Sequence, residues 1–121
     1  AIGHWRYIKD AIAKREAGLA APYWARRLDE APARIGDMVV LARSDTTGGH
    51  VIKKIDTYEE AREVKGSFPS HCDLIVGVSG GKAHAIGGNV KNSMSLTSFP
   101  LDSDGRLKAR GRVFMLLECQ L

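Results

Sequence analysis

The stretch SFPSHCDLIVGVSGGKAHAIGGNV, residues 67–90, sets a histidine beside a cysteine and an aspartate at the opening of what reads as a β-hairpin. Ser70, His71, Cys72 and Asp73 are residue types that can form a catalytic cluster, a metal site, or only the polar lip of an ordinary strand. Strand geometry decides among these uses. Neighbours on a strand point to opposite faces, so His71 and Cys72 cannot act as a dyad or grip one ion. Cys72, Leu74, Val76 and Val78 share one face, an apolar row that reads as core, while His71, Asp73 and Ile75 share the other.

What His71 faces across the hairpin then depends on the register. A three-residue turn, Ser79 to Gly81, pairs Val78 with Lys82 and places Asn89 opposite His71. A two-residue turn puts Asn89 opposite Cys72, unless a bulge at Gly87-Gly88 restores the first register. An Asn oxygen opposite His71 could accept the imidazole N–H, fix the tautomer and leave the other nitrogen to act as a base. On residue types alone the plainer reading is that His71 is a polar strand end and Asn89 a turn former beside two glycines.

Other chemistries are excluded by spacing. GVSGGKA, residues 77–83, is one residue short of a phosphate loop, lacks its Ser or Thr, and runs into a strand where that loop needs a helix. GGN has no strand-glycines-helix unit around it. His50, His71, Cys72, His84 and Cys119 include no close pair spaced for zinc, so neither metal nor cofactor is expected.

The elements that position these residues follow from periodicity. Trp5, Ile8, Ile12 and Leu19 recur at helical spacing with Tyr7 and Ala11 beside them, predicting a helix over 4–19 that stops at Gly18. Pro22 to Glu30 reads as a second short helix, with Pro in its first turn and Pro32 beyond its end. IGDMVVLAR gives a turn at Gly36-Asp37 and a buried strand. Residues 44–70 form an irregular excursion around a short helix in TYEEAREV, capped by Asp56 or Thr57. CDLIVGV and KAHAIGG flank the SGG turn, SMSLTSF follows as an alternating strand, and RVFMLLECQ closes the chain. Helices first and antiparallel strands afterwards predict one α+β domain.

Composition narrows the partners. With 121 residues, 44% hydrophobic and 26% charged, the chain can bury one modest core. No run approaches the roughly 18 apolar residues of a membrane helix, and the first residues lack the pattern of a signal peptide. Two cysteines make no disulfide framework. The net charge of +4 favours anionic partners. The basic residues, Arg26-Arg27, Lys53-Lys54, Arg106, Lys108, Arg110 and Arg112, are scattered without the concentrated stripe of a nucleic-acid face.

The series HWRYI (4–8), RIGDMVVLAR (34–43), PSHCDLIVGV (69–78) and AIGGNVKNSMSL (85–96) resembles an uncharacterised bacterial family, a domain of unknown function. That family looks related to the NlpC-type and CHAP enzymes of the papain-like superfamily. The resemblance implies a papain-like α+β architecture lacking its first helix, with the 121 residues forming the C-terminal part of a longer catalytic domain. It implies His71 as general base, Asn89 as the residue that orients it, and Asp73 in an H-x-D position without an assigned role. In such enzymes the Cys or Ser nucleophile lies on a helix ahead of the segment matching HWRYI, and neither Cys72 nor Cys119 stands in that place. The expectation is therefore a peptidoglycan amidase or endopeptidase, periplasmic or secreted, whose nucleophile comes from an N-terminal segment or a companion chain. This chain alone is expected to be inactive. A non-catalytic binding module of the same fold is the alternative, and a basic nucleic-acid-binding domain a more distant one.

Overall fold

A computed structural model describes residues 4–42, 46–47, 50–51, 55–65, 68, 70–88 and 94–121. Helix α1 (His4–Ala17) opens the fold and ends where Gly18 takes a positive φ of 66°. Strands β1 (Tyr23–Arg26) and β2 (Met38–Ala42) follow, then the short pair β3 (Thr46–Thr47) and β4 (His50–Val51). After α2 (Tyr58–Glu63) come β5 (Ser70–Ser79), β6 (Lys82–Gly88), β7 (Met94–Pro100) and β8 (Val113–Cys119). Six strands build one antiparallel sheet in the order β1-β8-β2-β5-β6-β7. This is the α+β class that the element order predicts.

Strand alternation gives the sheet two apolar faces. On one, α1 inserts Ile8, Ala11 and Ile12 against Val40, Met115 and Leu117, and α2 adds Tyr58 and Ala61. On the other, Val39, Ile75, Ala85 and Leu116 pack beneath Ala31, Ala33, Phe99, Leu101 and Leu107. The predicted stripe of α1 holds at Ile8 and Ile12, but Tyr7 and Leu19 are exposed. Lys9 joins the two helices: its Nζ donates to the carbonyls of Ala61 and Arg62 at 3.2 Å, and to that of Val64. The cation thus sits where the carbonyl end of α2 concentrates partial negative charge. Thr57 caps the other end, accepting from the Glu60 N–H at 3.1 Å.

The helix expected over Pro22 to Glu30 does not form. Tyr23–Arg26 is instead the edge strand, paired with the last strand through Tyr23↔Cys119 and Arg26↔Leu116. Aromatic Tyr23 and Trp24 suit a pleated, half-buried surface, and the long-range ladder outweighs a local helix start at Pro22. The turn after β1 is tied back to α1 by Glu30, which accepts from both terminal nitrogens of Arg15 and from the Arg27 N–H.

The Arg15 guanidinium holds the Glu30 carboxyl down at about 2 against the opposing effect of burial. A depressed folded-state value means that this stability is complete above the ordinary carboxylate range and fades as pH falls from about 4.5 toward 2. Glu30→Gln is expected to cost about 1 kcal/mol at neutral pH, a modest figure because the pair is partly exposed. Urea denaturation at a series of pH values checks this: wild type and variant should converge on acidification.

Candidate functional site

β5 is an interior strand, held between β2 and β6. Its register with β2 sets Cys72 opposite Val40, and His71 and Asp73 opposite Leu41 and Val39. Cys72 accordingly packs on the α1 face, whereas Val39 and Leu41 belong to the other core. The two candidate nucleophile and base types are on opposite sides of the sheet. Burial, aided by the neighbouring Asp73 carboxylate, pushes the Cys72 thiol up to about 12, which leaves it protonated at neutral pH.

On the other face His71 meets Asp73. The His71 Nε2 lies 2.6 Å from Asp73 Oδ1, with the histidine side chain 24% exposed and the carboxylate 8%. The ring N–H does not point straight at the oxygen, so proximity and charge carry this contact more than a linear hydrogen bond. The i, i+2 spacing of a strand is sufficient to create the pair. What holds it close is Gly87 on β6. A Cβ at Gly87 would stand 2.0 Å from Asp73 Oδ1 and 2.9 Å from His71 Nε2. Glycine is required there by space, since its φ is not in the left-handed region.

The hairpin that brings Gly87 to this place turns through two residues, Gly80 and Gly81, with φ of 59° and 73°, and Ser79 pairs with Lys82. The three-residue turn is therefore not the one formed. The irregularity that shifts the register lies on β5, between Ile75 and Gly77, and not at Gly87-Gly88. It also divides the expected apolar row: Cys72 packs against a core, whereas Val76 and Val78 are 45% and 42% exposed. Ile75, on the face shared with His71 and Asp73, is instead fully buried. Asn89 lies outside the described residues.

The Gly36-Asp37 turn is structural. Gly36, at φ 96°, leads into β2, and the buried Asp37 carboxylate accepts from Arg34 N–H at 3.0 Å and Cys119 N–H at 2.8 Å. Tyr23 donates to the Gly36 carbonyl at 3.0 Å, and Ile75 N–H to that of Asp37 at 2.9 Å. One turn thus fixes β1, β5 and β8 around β2.

Among the described residues no three His, Cys, Asp or Glu side chains come together as a metal-binding group, and no helix is long and apolar enough to cross a membrane. Several of the basic residues are engaged in ion pairs: Arg26 with Glu118, Arg27 with Glu59 and Glu30, and Arg106 with Asp102 and Asp104.

Fold and site together define an α+β domain that carries a histidine–carboxylate pair on an interior sheet strand. The chain belongs to a family described as an uncharacterized protein conserved in bacteria, DUF2272, which matches residues 1–115. No curated protein and no solved structure matches the chain significantly.

Proposed function

We propose that this domain provides the general base of a bacterial cell-wall amidase or endopeptidase, acting on amide bonds of peptidoglycan. The observation that carries the reading is the His71–Asp73 pair, an imidazole 2.6 Å from a buried carboxylate on a rigid strand. A base oriented by a third group is what activation of a hydroxyl or thiol nucleophile needs. Asp73 holds the ring and offsets the positive charge that develops as it takes the proton. Resemblance to the NlpC and CHAP enzymes supplies the substrate class, and the net charge of +4 suits an anionic wall.

The nucleophile in this proposal is a Cys or Ser outside these 121 residues, on the helix that the resemblance sets ahead of the segment at His4. Cys72 does not serve, because it faces the other core with a thiol held at about 12. In the first step the nucleophile's proton passes to His71 as its oxygen or sulfur attacks the amide carbon. His71 then returns the proton to the departing amine. Asn89 keeps its proposed part as a further residue that orients His71.

Digestion of purified peptidoglycan by the natural full-length protein, read as released muropeptides, tests the proposal. His71→Ala is expected to lower the rate by about 100-fold or more, and Asn89→Ala to lower it less. Hydrolysis that survives loss of His71 overturns the assignment. Wall binding without hydrolysis by the wild type would make this a binding module.

A further inference from the structure

A second histidine lies in a hydrogen-bonded line across β5, β6 and β7. His84 Nε2 is 3.0 Å from Ser79 Oγ, and His84 Nδ1 is 2.8 Å from Ser98 Oγ. The register explains the line: Ser98 is the direct partner of His84 on β7, and Ser79 lies at the tip of β5 opposite Lys82. Both serines are exposed and the imidazole is half-buried. The residue paired with His84 on β5 is Gly77, which has no side chain of its own to set against the ring.

A neutral imidazole has one N–H and one lone pair. With hydroxyls on both nitrogens, one serine accepts from the ring and the other donates to it. Donation polarises the second hydroxyl toward the alkoxide. Nucleophile and base within hydrogen-bond reach, with the base oriented by a third group, form the general arrangement of covalent acyl transfer. The two distances meet that condition on both sides.

Ser79 is the better placed of the two. It precedes Gly80 and Gly81, and among the described residues neither glycine N–H donates a backbone hydrogen bond. Unspent amides next to a nucleophile are the donors that a developing oxyanion uses.

We propose that Ser79, His84 and Ser98 form an acyl-transfer site, separate from His71, at which Ser79 takes the acyl group of small activated esters. The Ser79 Oγ–H proton passes to His84 Nε2 as Oγ bonds to the ester carbonyl carbon. The carbon–oxygen bond to the leaving group breaks, and His84 protonates the departing oxygen. Water then attacks the acyl-serine, giving a proton to His84 that returns to Ser79 Oγ as the carboxylic acid leaves. An exposed position on a sheet face suits compact esters and gives little selectivity among them. Ser98 is a positioning residue that holds the Nδ1 proton.

The experiment uses p-nitrophenyl acetate with the natural full-length protein, following nitrophenolate release and mapping the acetyl group by peptide mass spectrometry. One acetyl group on Ser79 is expected. Ser79→Ala should abolish that adduct, and His84→Gln should slow its formation about 100-fold. Ser98→Ala should slow it less and move its pH profile, which loss of a merely structural hydroxyl would not do. Far-ultraviolet circular dichroism of each variant checks that the sheet is retained. Acetyl groups confined to lysines or to the imidazole, or unchanged release in Ser79→Ala, would overturn the assignment. The ester readout is independent of peptidoglycan, so failure here and failure of the wall-hydrolase reading are told apart.

Discussion

Gly87→Ala is expected to break the His71–Asp73 pair without touching either residue. The new methyl carbon would sit 2.0 Å from Asp73 Oδ1 and 2.9 Å from Asp73 Cγ and His71 Nε2, far inside van der Waals contact. Asp73 cannot swing clear easily, because its residue is 6% exposed and its neighbours on the strand are laddered to β2. Either the carboxylate leaves the imidazole or β6 moves away from β5. Overpacking of this kind costs about 1–3 kcal/mol. The loss of orientation should appear separately, as hydrolysis falling toward the level of His71→Ala even at temperatures where the variant remains folded. Thermal denaturation and muropeptide release measured together distinguish the two effects. A variant with wild-type activity would show that the close approach of Asp73 does not matter to His71. Gly77→Ala is the control: its Cβ would stand 3.8 Å from the His84 ring, an ordinary contact.

The sheet was legible in the sequence wherever a strand's own residues specify it. Met38–Ala42 and Val113–Cys119 are near-continuous apolar runs, and two adjacent glycines between apolar segments mark a hairpin. The opposite facing of His71 and Cys72 followed from alternation alone. β1 was misread because its partner is the far end of the chain: Arg26 meets Glu118 across 92 positions, which no local pattern records. The apolar row through Val76 and Val78 was misjudged for a related reason. A bulge between Ile75 and Gly77 interrupts the two-residue period, and periodicity cannot reveal where a bulge falls.

The candidate site was half legible. His71 and Asp73 stood on one face by spacing, yet Asp73 acquired its importance from Gly87, a residue whose function is to have no side chain. The glycines at 87–88 read only as a bulge or as the company of a turn-forming Asn89, not as room left for a carboxylate. His84 offered a weaker signal still. Considered only as a metal ligand it lacked partners, because Ser79 and Ser98 reach it solely through the registers of two hairpin pairings.

Asp37→Ala should be the most destabilising single change outside the apolar cores. The carboxylate is 2% exposed and accepts two backbone N–H groups, Arg34 and Cys119, the second linking the start of β2 to the end of β8. Alanine leaves both donors without that acceptor in a buried place. At about 1–3 kcal/mol for each, the loss comes to roughly 2–6 kcal/mol. Asp37→Asn keeps the volume but turns an NH2 group toward one of the two donors, so about half that loss is expected. The pH dependence has the opposite sign to that of Glu30. Burial raises the Asp37 carboxyl above its ordinary range, and this outweighs the two N–H groups that pull it down. A raised folded-state value makes the protonated form the better accommodated one. Its contribution is complete below about 3.8, the unfolded value, and declines as pH rises through the folded one. The gap between wild type and Asp37→Ala should therefore be widest in acid and narrow toward neutrality, where the two N–H groups still maintain it. Urea midpoints from pH 3 to pH 7, an acid-to-neutral span set around the ordinary carboxylate range, follow this directly. A gap that widens with pH would mean that the hydrogen bonds, and not burial, dominate the environment of this turn.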